Sequence, residues 1–145
     1  MPVTLTIDPA GPSKGSIMDL MFLNMGINDP DPDERIAALK FLDAMMLEHP
    51  WNRLGYEQPT YGAGLTTDGS GIASDSLAAV ASNLAVRFAP AKGKTLSAEQ
   101  RKSAADSFQY ISAQHATIPT AARIPATPRG SGSRSTWRTF LTPEA

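Results

Sequence analysis

The stretch that decides the fold is Asp75–Ala89, DSLAAVASNLAVRFA, which predicts an amphipathic helix. Apolar residues recur along it at i, i+3, i+4, i+7 and i+11, the positions that share one helical face. These residues are Leu77, Val80, Ala81, Leu84 and Phe88. Pro90 ends the helix because proline has no backbone N–H to donate to the preceding turn. The periodicity is strong and identifies a helix of the body.

The second helix is predicted to begin at Asp31 and to end before Pro50. Asp31 can cap it, Pro32 occupies the first turn, and Glu34 can reach back to the cap. One apolar stripe is expected to face the core. It comprises Ile36, Leu39, Leu42 and Met46, widened by Phe41 and Met45.

Two further helices complete the predicted body. The first helix of the chain is expected to begin at Ser16, because Ser16–Asp19 has capping-box spacing, and to stop at Gly26. The fourth begins at Ser97, where Ser97–Gln100 forms another capping box. One of its faces carries Ala104, Phe108, Ile111 and His115. Five methionines are interpreted as core residues. They are Met18, Met21, Met25, Met45 and Met46.

Residues 49–74 form a long loop rich in glycine and proline. Loops of this length inside a compact domain are usually functional or mobile. Four residues predict that part of it packs on the body: Trp51, Leu54, Tyr56 and Tyr61. The predicted fold class is therefore all-α, a small four-helix body with a long loop and an extended Pro/Gly-rich C-terminal arm.

The C-terminal arm, residues 116–145, reads ATIPTAARIPATPRGSGSRSTWRTFLTPEA. Its four prolines and its Gly-Ser-Gly step forbid a long helix. It carries four arginines and two aromatic rings, which a polar spacer would not need, so we expect it to bind another chain. The predicted organisation is an N-terminal arm over 1–15, a helical body over 16–115 and this arm over 116–145.

Charge is segregated along the 145 residues, although the net charge is only −1. Met1–Asp75 holds 4 Lys or Arg and 11 Asp or Glu, whereas Ser76–Ala145 holds 9 and 3. This polarity suits head-to-tail association of copies, or a position between an acidic and a basic partner. There is no cysteine and hence no disulfide framework, and no run is long enough to span a bilayer.

Motifs of catalysis and metal binding are weak. The acidic run Asp29–Glu34 fails the calcium-loop pattern and is explained by helix capping. The histidines, His49 and His115, have no ligand spacing, and no glycine-rich piece has the context of a nucleotide loop. We therefore predict no enzyme, no catalytic, metal-binding or cofactor-binding residue, and no cofactor. The arginines of the arm could contact DNA phosphate, but carboxylates on a protein partner are the simpler target.

Three segments together resemble a known family. Ser76–Pro90 resembles the "NLA-x-R-x-AP" signature of the head-completion adaptors of short-tailed phages, also called packaged-DNA stabilisation proteins or tail accessory factors. Pro125–Gly132, followed by Trp137 and Phe140, resembles the family's Pro-rich "P-x-GSG" tail with terminal aromatics. Leu42–Met46 before Trp51 fits its "L-x-x-M-M…W" segment.

The resemblance implies a structural virion protein at the head–tail interface, assembled in the host cytoplasm. Its copies are expected to form a twelvefold ring on the portal protein, extend the DNA channel, help retain packaged DNA without reading its sequence, and attach a tail or nozzle protein. No membrane contact is implied. Portal binding is carried over to Arg123, Pro125, Pro128, Arg129, Gly130, Gly132, Arg134, Trp137, Arg138 and Phe140.

The signature of the third helix places Asn83 and Arg87 in a packing or intersubunit role. Two alternatives to the adaptor stay open at this stage. One is a cell-wall-degrading enzyme carried in the virion, which could draw a carboxylate pair from Glu48, Glu57 and Asp68. The other is a small DNA-binding accessory protein.

Overall fold

The computed structural model describes residues 11–59 and 64–116. Four α-helices follow one another in this part of the chain: α1, Lys14–Asn24; α2, Pro32–Met46; α3, Leu77–Phe88; and α4, Ala98–Gln114. The described residues contain no strand, and a single bridge joins Ser13 to Gly69. The prediction of an all-α, four-helix body is confirmed. Residues 1–10 of the predicted N-terminal arm and residues 117–145 of the predicted C-terminal arm lie outside the described residues.

Capping residues set three of the helix starts. α2 begins as predicted, with the Asp31 N–H donating to the Glu34 carboxylate (3.2 Å), and α4 begins with the reciprocal Ser97–Gln100 box. The predicted start of α1 at Ser16 is wrong. Ser13 is the cap, and its hydroxyl accepts the Ser16 N–H at 3.1 Å. Ser16 therefore already lies in the first turn, where its N–H is one of those that need a capping acceptor.

α3 is the central helix, because it packs against each of the other three. Its predicted stripe is buried at Val80, Ala81, Leu84 and Phe88. The Phe88 ring packs edge-on against the rings of Phe22 and Phe41, with centroids 5.9 and 5.3 Å away, and so joins α1, α2 and α3 at one point. The five methionines assigned to the core are all buried, so that prediction is confirmed.

The buried face of α2 differs from the predicted stripe. Ile36 is 53% exposed and Phe41 is 37% exposed. The buried residues are Ala38, Leu39, Leu42, Met45 and Met46. Apolar residues cover more than half of the circumference of this helix, so two overlapping stripes are possible. The buried one contains Ala38 and leaves Ile36 outward, while the partly exposed Phe41 ring packs on Phe88 of α3.

The long loop packs partly on the body, as predicted for Trp51, Leu54 and Tyr56, whereas Tyr61 lies outside the described residues. Trp51 is fully buried in a short 3-10 turn, Trp51–Arg53. The centroid of its ring lies 5.7 Å from the centroid of the Phe108 ring on α4. A second 3-10 turn, Ser74–Ser76, leads into α3. Among the described residues, none of the helices has the length and apolar character needed to cross a membrane.

Candidate functional site

Asn83 joins α3 to α4. Its side-chain nitrogen donates to the Ala79 carbonyl on its own helix (2.9 Å) and to the Ala104 carbonyl (3.0 Å) and Ser107 hydroxyl (3.0 Å) on α4. An amide nitrogen has two hydrogens, so these three acceptors share them. The contacts fix the register of the two helices within one chain. A further role between subunits stays a prediction.

Arg87 joins the end of α3 to the segment just after α2. Its guanidinium lies 2.7 Å from the Glu48 carboxylate. The hydrogen bond and charge of Arg87 lower the pKa of Glu48. Both side chains are well exposed, at 37% and 56%, so the ion pair adds little to stability. An intersubunit role for Arg87 also stays a prediction.

The predicted portal-binding residues lie outside the described residues, and their role stays a prediction. They are Arg123, Pro125, Pro128, Arg129, Gly130, Gly132, Arg134, Trp137, Arg138 and Phe140. The structure shows where the body ends before this arm: α4 ends at Gln114, and His115 is its C-terminal cap.

A buried lysine holds the long loop on the body, which sequence reasoning missed. Lys14 is 2% exposed, and its ammonium donates to the Glu57 carbonyl at 2.8 Å. It also lies 4.7 Å from the centroid of the Tyr56 ring, within cation–π range. The Tyr56 hydroxyl in turn donates to the Asp43 carboxylate on α2. Lys14 and Glu57 are 43 residues apart, so no local pattern could have linked them.

The Tyr56 hydroxyl gives a test of this anchor. Burial, together with the hydrogen bond to Asp43, raises the pKa of Tyr56 above its ordinary value. Tyr56→Phe removes a charge-assisted hydrogen bond in a partly solvated site, so we expect about 1–2 kcal/mol less unfolding free energy at pH 7. Urea unfolding measures this difference.

The pH dependence of the same variant has a defined sign. Above roughly pH 10 the unfolded chain releases the Tyr56 proton while the folded chain keeps it, so wild-type stability falls by up to about 1.4 kcal/mol per pH unit from this group. All other titratable groups are the same in both proteins, so the difference in unfolding free energy between them isolates the contribution of Tyr56. The difference in unfolding free energy between wild type and Tyr56→Phe should become smaller above pH 10. A difference that grows there contradicts the raised pKa assigned to Tyr56.

A basic pocket of about 230 Å³ lies between the end of α3 and the start of α4. It is lined by Val86, Ala89, Pro90, Lys94, Thr95, Leu96 and Arg101. The surrounding segment Arg87–Lys102 carries five Lys or Arg and one acid, Glu99. The sequence showed a basic second half of the chain, but the pocket itself depends on how α3, the turn and α4 meet.

The described part of the chain holds no group of three or more His, Asp or Glu side chains placed to bind a metal ion. Its main features are helix-to-helix contacts, an anchored loop and a basic pocket, which together define a small all-α protein. Residues 24–141 match the P22 tail accessory factor family, and the chain belongs to that family. It is thus a structural tail accessory protein of a phage virion. A comparison with curated proteins gives no match.

Proposed function

We propose that this tail accessory protein is a head-to-tail adaptor. Twelve copies form a ring on the portal protein, extend the DNA channel, help retain the packaged DNA and present a platform for a tail or nozzle protein. The ring is a closed assembly of identical subunits, the usual arrangement for soluble homo-oligomers. In this proposal the protein performs no chemical step.

The observation that carries the proposal is the extent of the family match. It runs from residue 24 to residue 141, so it takes in α2, α3 and α4 together with the arm as far as Leu141. The arm is thus matched along with the body, which supports a specific binding role for it rather than the role of a linker.

The composition of the arm suits docking on a protein surface. Arg123, Arg129, Arg134 and Arg138 can each form a paired hydrogen bond with a carboxylate. Trp137 and Phe140 supply the large apolar contacts that, together with arginine, dominate many interfaces. Because one arm comes from each subunit of the ring, a modest affinity per arm becomes a large overall avidity.

Deleting Ala122–Ala145 tests the proposal. The described helices end before this segment, so the truncated protein should keep its α-helical circular dichroism while losing binding to purified portal rings in co-sedimentation. Deleting only Glu144 and Ala145 is the matched control, because it spares every predicted portal-binding residue. Truncated protein that still co-sediments with portal rings at wild-type levels would refute the docking role of the arm.

A further inference from the structure

The basic pocket at the start of α4 combines apolar walls with two cations. Val86, Pro90 and Leu96 are apolar lining residues, and Lys94 and Arg101 supply the charge. Lys94 donates weakly to the Met25 carbonyl at 3.4 Å, which leaves two of its three N–H groups to donate to a ligand. Among the described residues, Arg101 has no ion pair. These features fit an apolar side chain with a carboxylate beside it.

A turn in the long loop presents that combination. In Leu65–Asp68 the Asp68 N–H donates to the Leu65 carbonyl (3.1 Å), and the Leu65 N–H donates to the Asp68 carboxylate (2.8 Å). The Leu65 side chain is 63% exposed, and Asp68 is exposed as well. A carboxylate has lone pairs left to accept hydrogen bonds from a cation.

The turn and the pocket lie at opposite ends of α1. The turn is fixed to the start of this helix, where the Lys14 and Gly15 N–H groups donate to the Asp68 and Thr66 carbonyls at 3.0 and 2.7 Å. The pocket lies beside its end, where Gln100 donates to the Asn24 carbonyl at 2.7 Å. With 11 residues, α1 separates them by roughly 16 Å.

Charge is divided along the sequence of the described body, although Glu34 at the start of α2 reaches the basic segment and pairs with Lys92. The described residues before α3 carry four Lys or Arg and ten Asp or Glu, whereas Arg87–Lys102 carries five and one. The exposed Asp68 carboxylate of a second copy therefore offers the pocket an acidic partner. A DNA phosphate would match the cations alone and leave the apolar wall without a partner.

We propose that the pocket of one copy receives the Leu65–Asp68 turn of the next copy. Leu65 packs on Val86, Pro90 and Leu96, and the Asp68 carboxylate meets Lys94 and Arg101. Because turn and pocket are different surfaces of one subunit, the contact is head-to-tail and closes into a ring when the rotation allows. This contact rests on the proposed ring and identifies the surfaces that join its subunits.

Charge exchange between copies tests the contact. One variant is Asp68→Lys and the other is Lys94→Glu with Arg101→Glu. Each variant alone should form complete rings on portal at least about 10-fold less well than wild type, because like charges then face each other. An equal mixture should recover ring formation, since in an alternating ring every turn faces a pocket of opposite charge. Electron microscopy of portal complexes counts the complete rings.

Control variants distinguish loss of the contact from misfolding and from a general effect of charge on ring formation. Lys102→Glu makes the same kind of charge change next to Arg101 outside the pocket and should leave ring formation unchanged. Leu65→Ser keeps the Asp68 carboxylate and should also reduce ring formation, so the proposal does not depend on Asp68→Lys folding correctly. Thermal unfolding verifies the fold of each variant.

The outcomes are distinguishable. Failure of wild-type protein to form rings on portal refutes the proposed function. If wild-type protein forms rings and the folded variants form complete rings equally well, the contact is overturned. It is also overturned if the equal mixture forms no more complete rings than either variant alone. Variants that keep their rings but lose binding to double-stranded DNA also overturn it, and they assign the pocket to nucleic acid.

Discussion

Phe88→Ala should lower the free energy of unfolding by about 3–5 kcal/mol, the cost of truncating a fully buried aromatic residue. The side chain is 1% exposed and lies where α1, α2 and α3 meet. The substitution leaves a cavity and also removes edge-to-face contacts with Phe22 and Phe41, each worth about 0.5–1.5 kcal/mol beyond burial. Small domains have total stabilities of about 5–15 kcal/mol, so this single change leaves a marginal body.

Urea unfolding followed by circular dichroism measures the effect. Tyr110→Ala is the matched control, since it also removes an aromatic ring but from a side chain that is 63% exposed, and it should change stability by no more than about 0.5 kcal/mol. A loss below about 1 kcal/mol for Phe88→Ala contradicts the central position of this ring, because it falls under the range for buried phenylalanine.

Gly71→Ala should cost about 2–5 kcal/mol, from left-handed backbone strain and overpacking together. Gly71 has φ +75°, and a Cβ there would lie 2.6 Å from the Gly55 carbonyl oxygen and 2.9 Å from Glu57 Cγ. The first neighbour is a backbone atom, so the clash is relieved only if the two loop segments that pass each other at Gly55 and Gly71 move apart. The change should also shift the Leu65–Asp68 turn and reduce ring formation on portal.

Gly69→Ala is the control for this position, two residues away in the same loop. A Cβ at Gly69 meets nothing within 4 Å, and its φ lies outside the left-handed region. This variant should unfold within about 1 kcal/mol of wild type, since a compatible Gly→Ala change mainly restricts the unfolded chain. Equal unfolding free energies for the two variants contradict the crossing at Gly71.

Local signals in the sequence were sufficient for most of the helices. Asp31 with Glu34, and Ser97 with Gln100, mark helix starts through bonds that span three residues, so the pattern and the contact coincide. α1 shows the limit of such signals. Ser13 and Ser16 are both suitable caps, and the choice between them depends on loop residues 66–69, which bind the start of this helix from some 50 residues away.

The basic pocket and the loop anchor were harder to predict because they are assembled from distant segments. The basic pocket requires α3, the turn after it and α4 to meet, and the sequence showed only that this region is basic. Lys14 was not expected inside the protein, because a lysine is buried only when another segment supplies an acceptor, here the Glu57 carbonyl. The orientation of α2, with Ile36 outward, was likewise decided by its neighbour.

α4 has a consequence for the order of assembly. Its 17 residues set a spacing of roughly 25 Å between the pocket at its first turn and Gln114 at its last. In the proposed assembly, contact between neighbouring subunits and attachment to the portal therefore begin at opposite ends of α4. Because the two ends are apart, the proposed assembly allows a subunit to attach to the portal first and join its neighbours afterwards, and rings need not exist free in solution.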